Sequence, residues 1–305
     1  MSDELLIGER YGEEGSLVIK QLLGKGGMGT VYKAWDEKNS RPVAIKFLRM
    51  DGADPEAVRR FKREGSKFGK LRHPNIVRVY ALGRENGRIY IASEFVDGRH
   101  LYDMLGEEGV FAVETALTVC RKVADALTVA HEQGVIHRDL KPENIMVRRD
   151  DSDVKVLDFG IAKDLDASIA LTRQGSYIGT PAYSSPEQIQ GGDIDARSDI
   201  FSLGVILYEL LAGRVAFEGR HTLEVLKATI KAEPIAIGKL NESVSDPVSR
   251  LIERMIRKNP KKRHSSMVEV RDECDRLLDM LSRGDIQEEQ TGIRASLKRM
   301  FEGWR

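Results

Sequence analysis

Short β-rich runs open the chain, each bounded by polar or turn residues. Leu17 to Leu23, Thr30 to Trp35, Pro42 to Leu48, Ile76 to Leu82 and Arg88 to Phe95 read as strands, with Asn39-Ser40 and Asn86-Gly87 as turns. One helical segment interrupts them, about Pro55 to Lys70, with Asp54 placed to cap it and Pro55 in its first turn. After Val96 the period changes. Ala116, Leu117, Val119, Cys120, Val123, Ala124, Leu127 and Ala130 fall near helical spacing and predict an amphipathic helix over Val113 to Gln133. Two strand-like runs follow, Asn144 to Val147 and Val154 to Leu157, and then a loop from Asp158 to about Gln188. Helical patterns fill Ser198 to Leu211, Leu223 to Ala232, Val248 to Arg257 and Met267 to Arg283. The first 16 residues are polar and glycine-spotted and are expected to lie loosely on the surface. The pattern thus predicts a small β-rich part followed by a larger helical part, joined near residues 96 to 98.

Composition narrows the class. At ~150 residues per domain, 305 residues suggest about two domains or lobes. Lys plus Arg total 48 and Asp plus Glu total 48, a formal net charge of zero that argues against a protein coating a polyanion; no nucleic-acid partner is expected. The two cysteines, Cys120 and Cys274, have no metal-ligand spacing and fit a reducing cytosol. Apolar runs reach four residues, as at Val205 to Tyr208, far below the ~20 of a membrane-spanning helix. The start, Met1-Ser2-Asp3-Glu4, has no signal-peptide texture, so the expected location is cytoplasmic, with room for an anchor in a longer parent protein.

Four motifs carry candidate chemistry. Gly24-Lys25-Gly26-Gly27-Met28-Gly29 lies between two predicted strands, where bare backbone can present N–H groups to a phosphate chain. By itself a glycine-rich hairpin needs no ligand; its strand-loop-strand setting disfavours a dinucleotide site, and it lacks the Gly-Lys-Ser/Thr of a Walker A loop. In Val43-Ala44-Ile45-Lys46, the lysine shares a strand face with small Ala44, opposite Val43 and Ile45. A cation there needs a carboxylate to fix it, and Glu64 lies in the helix of the same part. The third motif is His137-Arg138-Asp139-Leu140-Lys141-Pro142-Glu143-Asn144 and the fourth Asp158-Phe159-Gly160. They supply carboxylate and amide oxygens of the kinds needed by a general base and by magnesium.

Taken in order with Ser185-Pro186-Glu187, these motifs resemble the eukaryotic-type serine/threonine protein kinase family, most of all its bacterial members, over roughly Leu17 to Leu281. Ser185 stands where Ala is usual, a small-for-small change. The resemblance implies an α+β, bilobal protein-kinase-like fold: an extension over 1–16, a small β-rich N-lobe with one main helix over 17–97, a larger mainly helical C-lobe over 98–283, and a linker with a basic amphipathic tail over 284–305. It implies ATP and Mg²⁺ as cofactors, with Mn²⁺ able to substitute. Gly24, Gly26 and Gly29 would cover the phosphates, and Lys46, paired with Glu64, would contact them. Val31, Ala44 and Met146 would sandwich adenine, with Ser93, Glu94 and Val96 along the hinge. Asp139 would orient the substrate hydroxyl and accept its proton, Lys141 steady the γ-phosphate, and Asn144 and Asp158 hold metal. Asp199 and Arg263 match positions that brace the catalytic loop and pair with Glu187. Val79, Phe68, Phe159 and His137 match a stacked column.

The same resemblance sets further expectations. Lys141 and Gly179-Thr180-Pro181-Ala182-Tyr183 point to serine/threonine rather than tyrosine, with Thr180 in the substrate-docking loop. Substrates would be proteins and the chain itself, through activating autophosphorylation at Thr172 or Ser176 facing Arg138 and Lys163. Ser93, small where relatives carry a bulky residue, would leave room behind the adenine. In the tail, Ile293, Leu297, Met300, Phe301 and Trp304 form one stripe beside Arg294, Lys298, Arg299 and Arg305. It is expected to fold back onto its own lobe, with partner docking and membrane contact as alternatives. A pseudokinase scaffold and a small-molecule kinase are the competing functional classes; intact Lys46, Asp139 and Asp158 oppose the first, and the Gly179 to Tyr183 run the second.

Overall fold

The computed structural model describes residues 6–27, 29–48, 68–149, 153–159 and 181–286. The expected helix around Glu64, the sites Thr172, Ser176 and Thr180, Lys163 and the amphipathic tail lie outside them. The described residues form two compact units, one ending at Asp97 and one beginning at Gly98.

The first unit is an antiparallel sheet of β1 (Arg10–Tyr11), β2 (Leu17–Gly26), β3 (Gly29–Asp36), β4 (Arg41–Leu48), β5 (Val79–Glu85) and β6 (Arg88–Glu94), in the order β1-β2-β3-β4-β6-β5. The fifth strand begins three residues later than its apolar run, because Asn75 and Ile76 turn back onto His73. Strand alternation gives the sheet one oily face. Tyr32, Ala34, Val43, Ile45, Phe47, Tyr90 and Ala92 are buried there with Leu17 and Ile19.

The N-terminal stretch departs from expectation. Leu6 and Tyr11 belong to this core, and Tyr11 is wholly buried. Its ring meets Phe47 edge-on at 4.7 Å and Tyr90 at 5.8 Å, and its hydroxyl donates to Glu9 and accepts from Arg88. Gly12 N–H is taken by Glu85. A polar composition hid a two-residue strand whose single aromatic does the packing. Tyr11→Ala is therefore expected to cost about 3–5 kcal/mol, read as a lowered denaturation midpoint with unchanged m; a neutral result would show that the segment is dispensable.

The second unit opens with β7 (Gly98–His100) and α1 (Leu101–Glu108), neither of them evident from the sequence pattern. Then come α2 (Val113–Glu132), the hairpin of β8 (Ile145–Arg148) and β9 (Val154–Val156), α3 (Pro186–Gln190), α4 (Ala196–Ala212), α5 (Thr222–Lys231), α6 (Asp246–Met255) and α7 (Met267–Arg283). A small sheet runs β7-β8-β9. The segment expected to be loop as far as Gln188 is ordered sooner: a 3-10 turn covers Pro181–Tyr183, and α3 starts at Pro186 under a capping box between Ser185 and Gln188. No described helix is long and apolar enough to cross a membrane.

Helix α4 is buried almost all round, from Ser198 to Leu211 save Glu209. Its sequence is apolar on every face (Ile200, Phe201, Leu203, Val205, Ile206, Leu207), so it has no side to give to water. Helices α2 and α7 are tied by Arg121–Asp275 at 2.9 Å and Arg271–Asp125 at 3.2 Å, with Cys120 and Cys274 both buried as free thiols. At the base of α3 and α4 lies a buried ion pair. Arg263 holds Glu187 in two parallel bonds of 2.7 and 2.9 Å and donates its other N–H groups to the carbonyls of Arg257, Arg197 and Lys258. Ser198 adds a third donor to Glu187 at 2.7 Å.

Burial pushes the Glu187 carboxyl up, but the Arg263 and Ser198 bonds outweigh it and hold it below the ordinary glutamate range. A carboxyl lowered by folding contributes stability that is complete above its unfolded pKa of about 4.3 and is lost as pH falls through the lower folded value. The wild-type protein should therefore lose more stability between about pH 5 and about pH 3 than Glu187→Gln does. Arg263→Met, which strands the carboxylate, should cost roughly 3–5 kcal/mol at neutral pH. Parallel pH–stability curves for the wild type and Glu187→Gln would contradict this assignment.

Candidate active site

In the first unit the β2–β3 pairing runs out to Gly26 opposite Gly29. The glycines divide into two kinds. Gly29 has φ of 151°, and a Cβ there would sit 2.0 Å from the Phe47 carbonyl oxygen, so the fold itself demands glycine. A Cβ at Gly24 would meet nothing within 4 Å, and at Gly26 only the Gly29 oxygen at 4.0 Å. Packing gives no reason for glycine at these two positions; what their absence of side chain provides is exposed backbone.

Register decides which residues lie on the sheet face turned away from the oily core. Val31 stands opposite Lys46, Lys33 opposite Ala44, and Ala44 opposite Ser93, so Val31, Ala44, Lys46 and Ser93 share that face. The alternation expected for Val43-Ala44-Ile45-Lys46 is present: Val43 and Ile45 are fully buried, Ala44 and Lys46 half-buried. Glu94 ends β6 with its N–H on the Arg78 carbonyl and its carboxylate accepting the Arg78 N–H, and Val96 is buried.

In the second unit, residues 137–144 connect α2 to β8. His137 is completely buried. It donates from Nε2 to the Leu157 carbonyl at 2.8 Å and packs on Phe159 with ring centroids 4.8 Å apart. That leaves Nδ1 to accept the Asp139 N–H at 3.3 Å. Burial lowers the imidazole pKa against the pull of Asp199, which keeps the ring neutral and this pattern intact.

Asp199, 1% exposed on the first turn of α4, takes the N–H of His137 at 2.8 Å, the N–H of Arg138 at 2.9 Å and Nε2 of His131 at 2.8 Å. Burial alone would raise its pKa; the His131 and His137 interactions hold it low. Arg138 has φ of 62° and Asp158 φ of 45°, left-handed backbone that costs a non-glycine residue of order 1 kcal/mol or more and persists only where the surroundings impose it. For Arg138 the cause is visible: its N–H is fixed on Asp199.

The strained turn presents Asp139. Lys141 Nζ lies 3.3 Å from Asp139 Oδ2, and Asn144 Nδ2 donates to the Asp139 carbonyl at 2.8 Å. With its nitrogen so used, Asn144 keeps its amide oxygen as an acceptor. The hairpin register, Ile145 opposite Val156 with Leu157 N–H on the Asn144 carbonyl, sets Asp158 one residue beyond the partner of Asn144; Met146 pairs with His100 of β7 on one side and Lys155 of β9 on the other. Among the described residues no three His, Cys, Asp or Glu side chains gather into a metal site of their own. One amide oxygen and one carboxylate instead suit magnesium, which takes one or two protein oxygens and fills its octahedron with water and phosphate.

Two residues escaped the sequence reading. His131 gave no signal beyond its place in the last turn of α2. Gln188 did: Ser185-Pro186-Glu187-Gln188 has capping-box spacing. Its amide nitrogen donates to the Arg138 carbonyl at 2.8 Å.

The sequence profile described as "Protein kinase domain" matches residues 17–273. The chain belongs to the protein kinase domain family. Within it, the chain is similar to the serine/threonine-protein kinase PrkC of Bacillus subtilis, 38% identical over 86% of this chain, and to the serine/threonine-protein kinase PknB of Mycobacterium tuberculosis, 39% identical over 83% of it. It spans about 40% of the length of either relative. The kinase fold accounts for both units: a β-sheet unit carrying the glycine hairpin and a mainly helical unit carrying the catalytic loop. Kinases of this family generally use ATP and Mg²⁺.

The two kinds of glycine in this kinase domain predict different failures. Gly29→Ala should destabilise the first unit, lowering its melting temperature. Gly26→Ala should leave melting unchanged and weaken ATP binding about tenfold or more, since only close backbone approach is lost. Equal ATP affinity in Gly26→Ala and the wild type would remove that residue from the phosphate site.

Proposed function

We propose that this chain is an active serine/threonine protein kinase that transfers the γ-phosphate of ATP to protein hydroxyls. The observation that carries this reading is the disposition of Asp139. Its carboxylate is flanked by an ammonium and an amide, on a turn whose strained backbone is held by a buried aspartate. Such a carboxylate can accept a hydrogen bond from an attacking hydroxyl and take its proton as the oxygen–phosphorus bond forms. Lys141, shared between Asp139 and the transferring group, steadies developing charge. Lys46 and the bare backbone at Gly24 and Gly26 would hold the phosphates, Val31, Ala44 and Met146 the adenine. Asn144 and Asp158 would hold magnesium, which when bound neutralises the phosphate oxygens. Positioning supplies most of the acceleration.

Serine and threonine are favoured over tyrosine by Lys141 and by the kinship with PrkC and PknB. Autophosphorylation at Thr172 or Ser176, docking through Thr180, support of Lys46 by Glu64, and a cytoplasmic site of action belong to the same proposal. So does a role for the tail in contacting its own lobe, a partner or a membrane.

Incubation of the chain with Mg-ATP and casein, followed by mass spectrometry, tests the reading. Phosphate should appear on serine and threonine, and Asp139→Asn should slow transfer by about 10²–10⁴-fold at unchanged melting temperature. Transfer that persists at the wild-type rate in Asp139→Asn would overturn it.

A further inference from the structure

The two peptide units that meet at Arg138 are each gripped. The Arg138 N–H is fixed on Asp199 at 2.9 Å, and the Arg138 carbonyl accepts Gln188 Nε2 at 2.8 Å. Gln188 cannot easily turn away. Its Oε1 accepts both the N–H of Ser185 at 2.9 Å and the hydroxyl of Ser185 at 3.1 Å, and its own N–H returns to Ser185 Oγ. The two ends of the amide are thereby assigned: Ser185 N–H requires an oxygen, and the Arg138 carbonyl requires an N–H. Ser185 is fully buried, and helix α3 behind it is anchored by the Glu187–Arg263 pair.

We propose that Gln188 is a positioning residue for phosphoryl transfer. It fixes the Arg138 carbonyl, and with it the left-handed turn that aims Asp139, to the start of α3. The inference rests on the kinase reading above and adds a residue to it. The turn needs such a hold. Arg138 at φ of 62° would relax to ordinary backbone if either flanking peptide were released, and Asp139 is the next residue. Asp199 constrains the 137–138 peptide alone; rotation of the 138–139 peptide, which carries Asp139, is stopped by the bond from Gln188. Because α3 follows directly on the Pro181–Tyr183 turn and Ser184, the same bond couples the catalytic carboxylate to the segment leading out of the docking run.

The discriminating variant is Gln188→Glu. It keeps length and the acceptor for Ser185, and replaces the donor facing the Arg138 carbonyl with a carboxylate oxygen. At about pH 8 the introduced carboxyl is ionised, and kcat should fall about tenfold or more, the loss of roughly one hydrogen bond, with KM for ATP little changed. Facing a carbonyl oxygen in a half-buried setting, that carboxyl is pushed above its ordinary range, so as pH falls toward about 5 protonation restores an O–H donor there and the ratio of variant to wild-type kcat should rise. Gln188→Ala should show a similar loss with a flat ratio, because nothing there titrates. A purely structural glutamine would lower stability in both variants and produce no pH-dependent recovery. Hydrogen exchange of the 137–140 peptide should quicken in Gln188→Glu while α4 stays protected. If wild-type transfer is present and Gln188→Glu matches it at pH 8, the proposal fails. If the wild type shows no transfer, the kinase reading fails, and unchanged exchange at 137–140 would sink the clamp as well.

Discussion

A carboxylate without water must find donors, and the satisfaction of Asp199 organises the second unit. Its helix, α4, is too apolar to present any face to solvent, so the residue on its first turn is carried inside. There it collects two backbone N–H groups of the turn before Asp139 and the ring of His131. The exchange is mutual. Asp199 needs the donors in order to be buried as an anion, and the turn needs an acceptor in order to hold Arg138 in left-handed backbone. Reactive geometry at Asp139 is thus a consequence of how a buried charge is satisfied.

The neighbouring residue on the same helical turn serves a second buried charge. Ser198 donates to Glu187, whose other bonds come from Arg263, and Arg263 spends its remaining N–H groups on three carbonyls. Both ions of this pair are matched by partners, the condition under which buried ions can be tolerated at all. Glu187 and Gln188 then act in sequence: the first fixes α3, the second reaches from it to the Arg138 carbonyl. Asp199 of α4 and Gln188 of α3 thereby hold the two peptide units that meet at Arg138.

The first unit is governed by a simpler constraint, the two-sidedness of a strand. One face is filled with aromatic and branched residues, and the N-terminal stretch closes it with Tyr11 and Leu6. The other face carries Lys46 among small and apolar neighbours. The close approach of β3 to β4 at Gly29 fixes the base of the hairpin, while Gly24 and Gly26 stay bare for reasons that packing does not supply.

Much of this was legible in the linear sequence, for local reasons. Strands with a period of two and helices with a period near 3.6 declare themselves where one face is apolar, as in β4 and α2. The motifs at Lys46, Asp139, Asn144 and Asp158 carry their chemistry in residue type and order, so family and reaction class could be read without coordinates. Elements whose stabilisation is non-local escaped. Residues 6–16 look like a polar tail because one buried tyrosine does the packing. The elements β7 and α1 are short, and β7 is held by pairing to β8. Helix α3 owes its place to a cap and a distant arginine. The roles of His131 and Gln188 exist only because folding sets them against residues 68 and 50 positions away. Sequence fixed the identity of the reacting groups, since chemistry follows from side-chain type. The aim of Asp139 was decided by tertiary structure alone, since a left-handed turn at Arg138 persists only where partners hold the peptides on both sides of it.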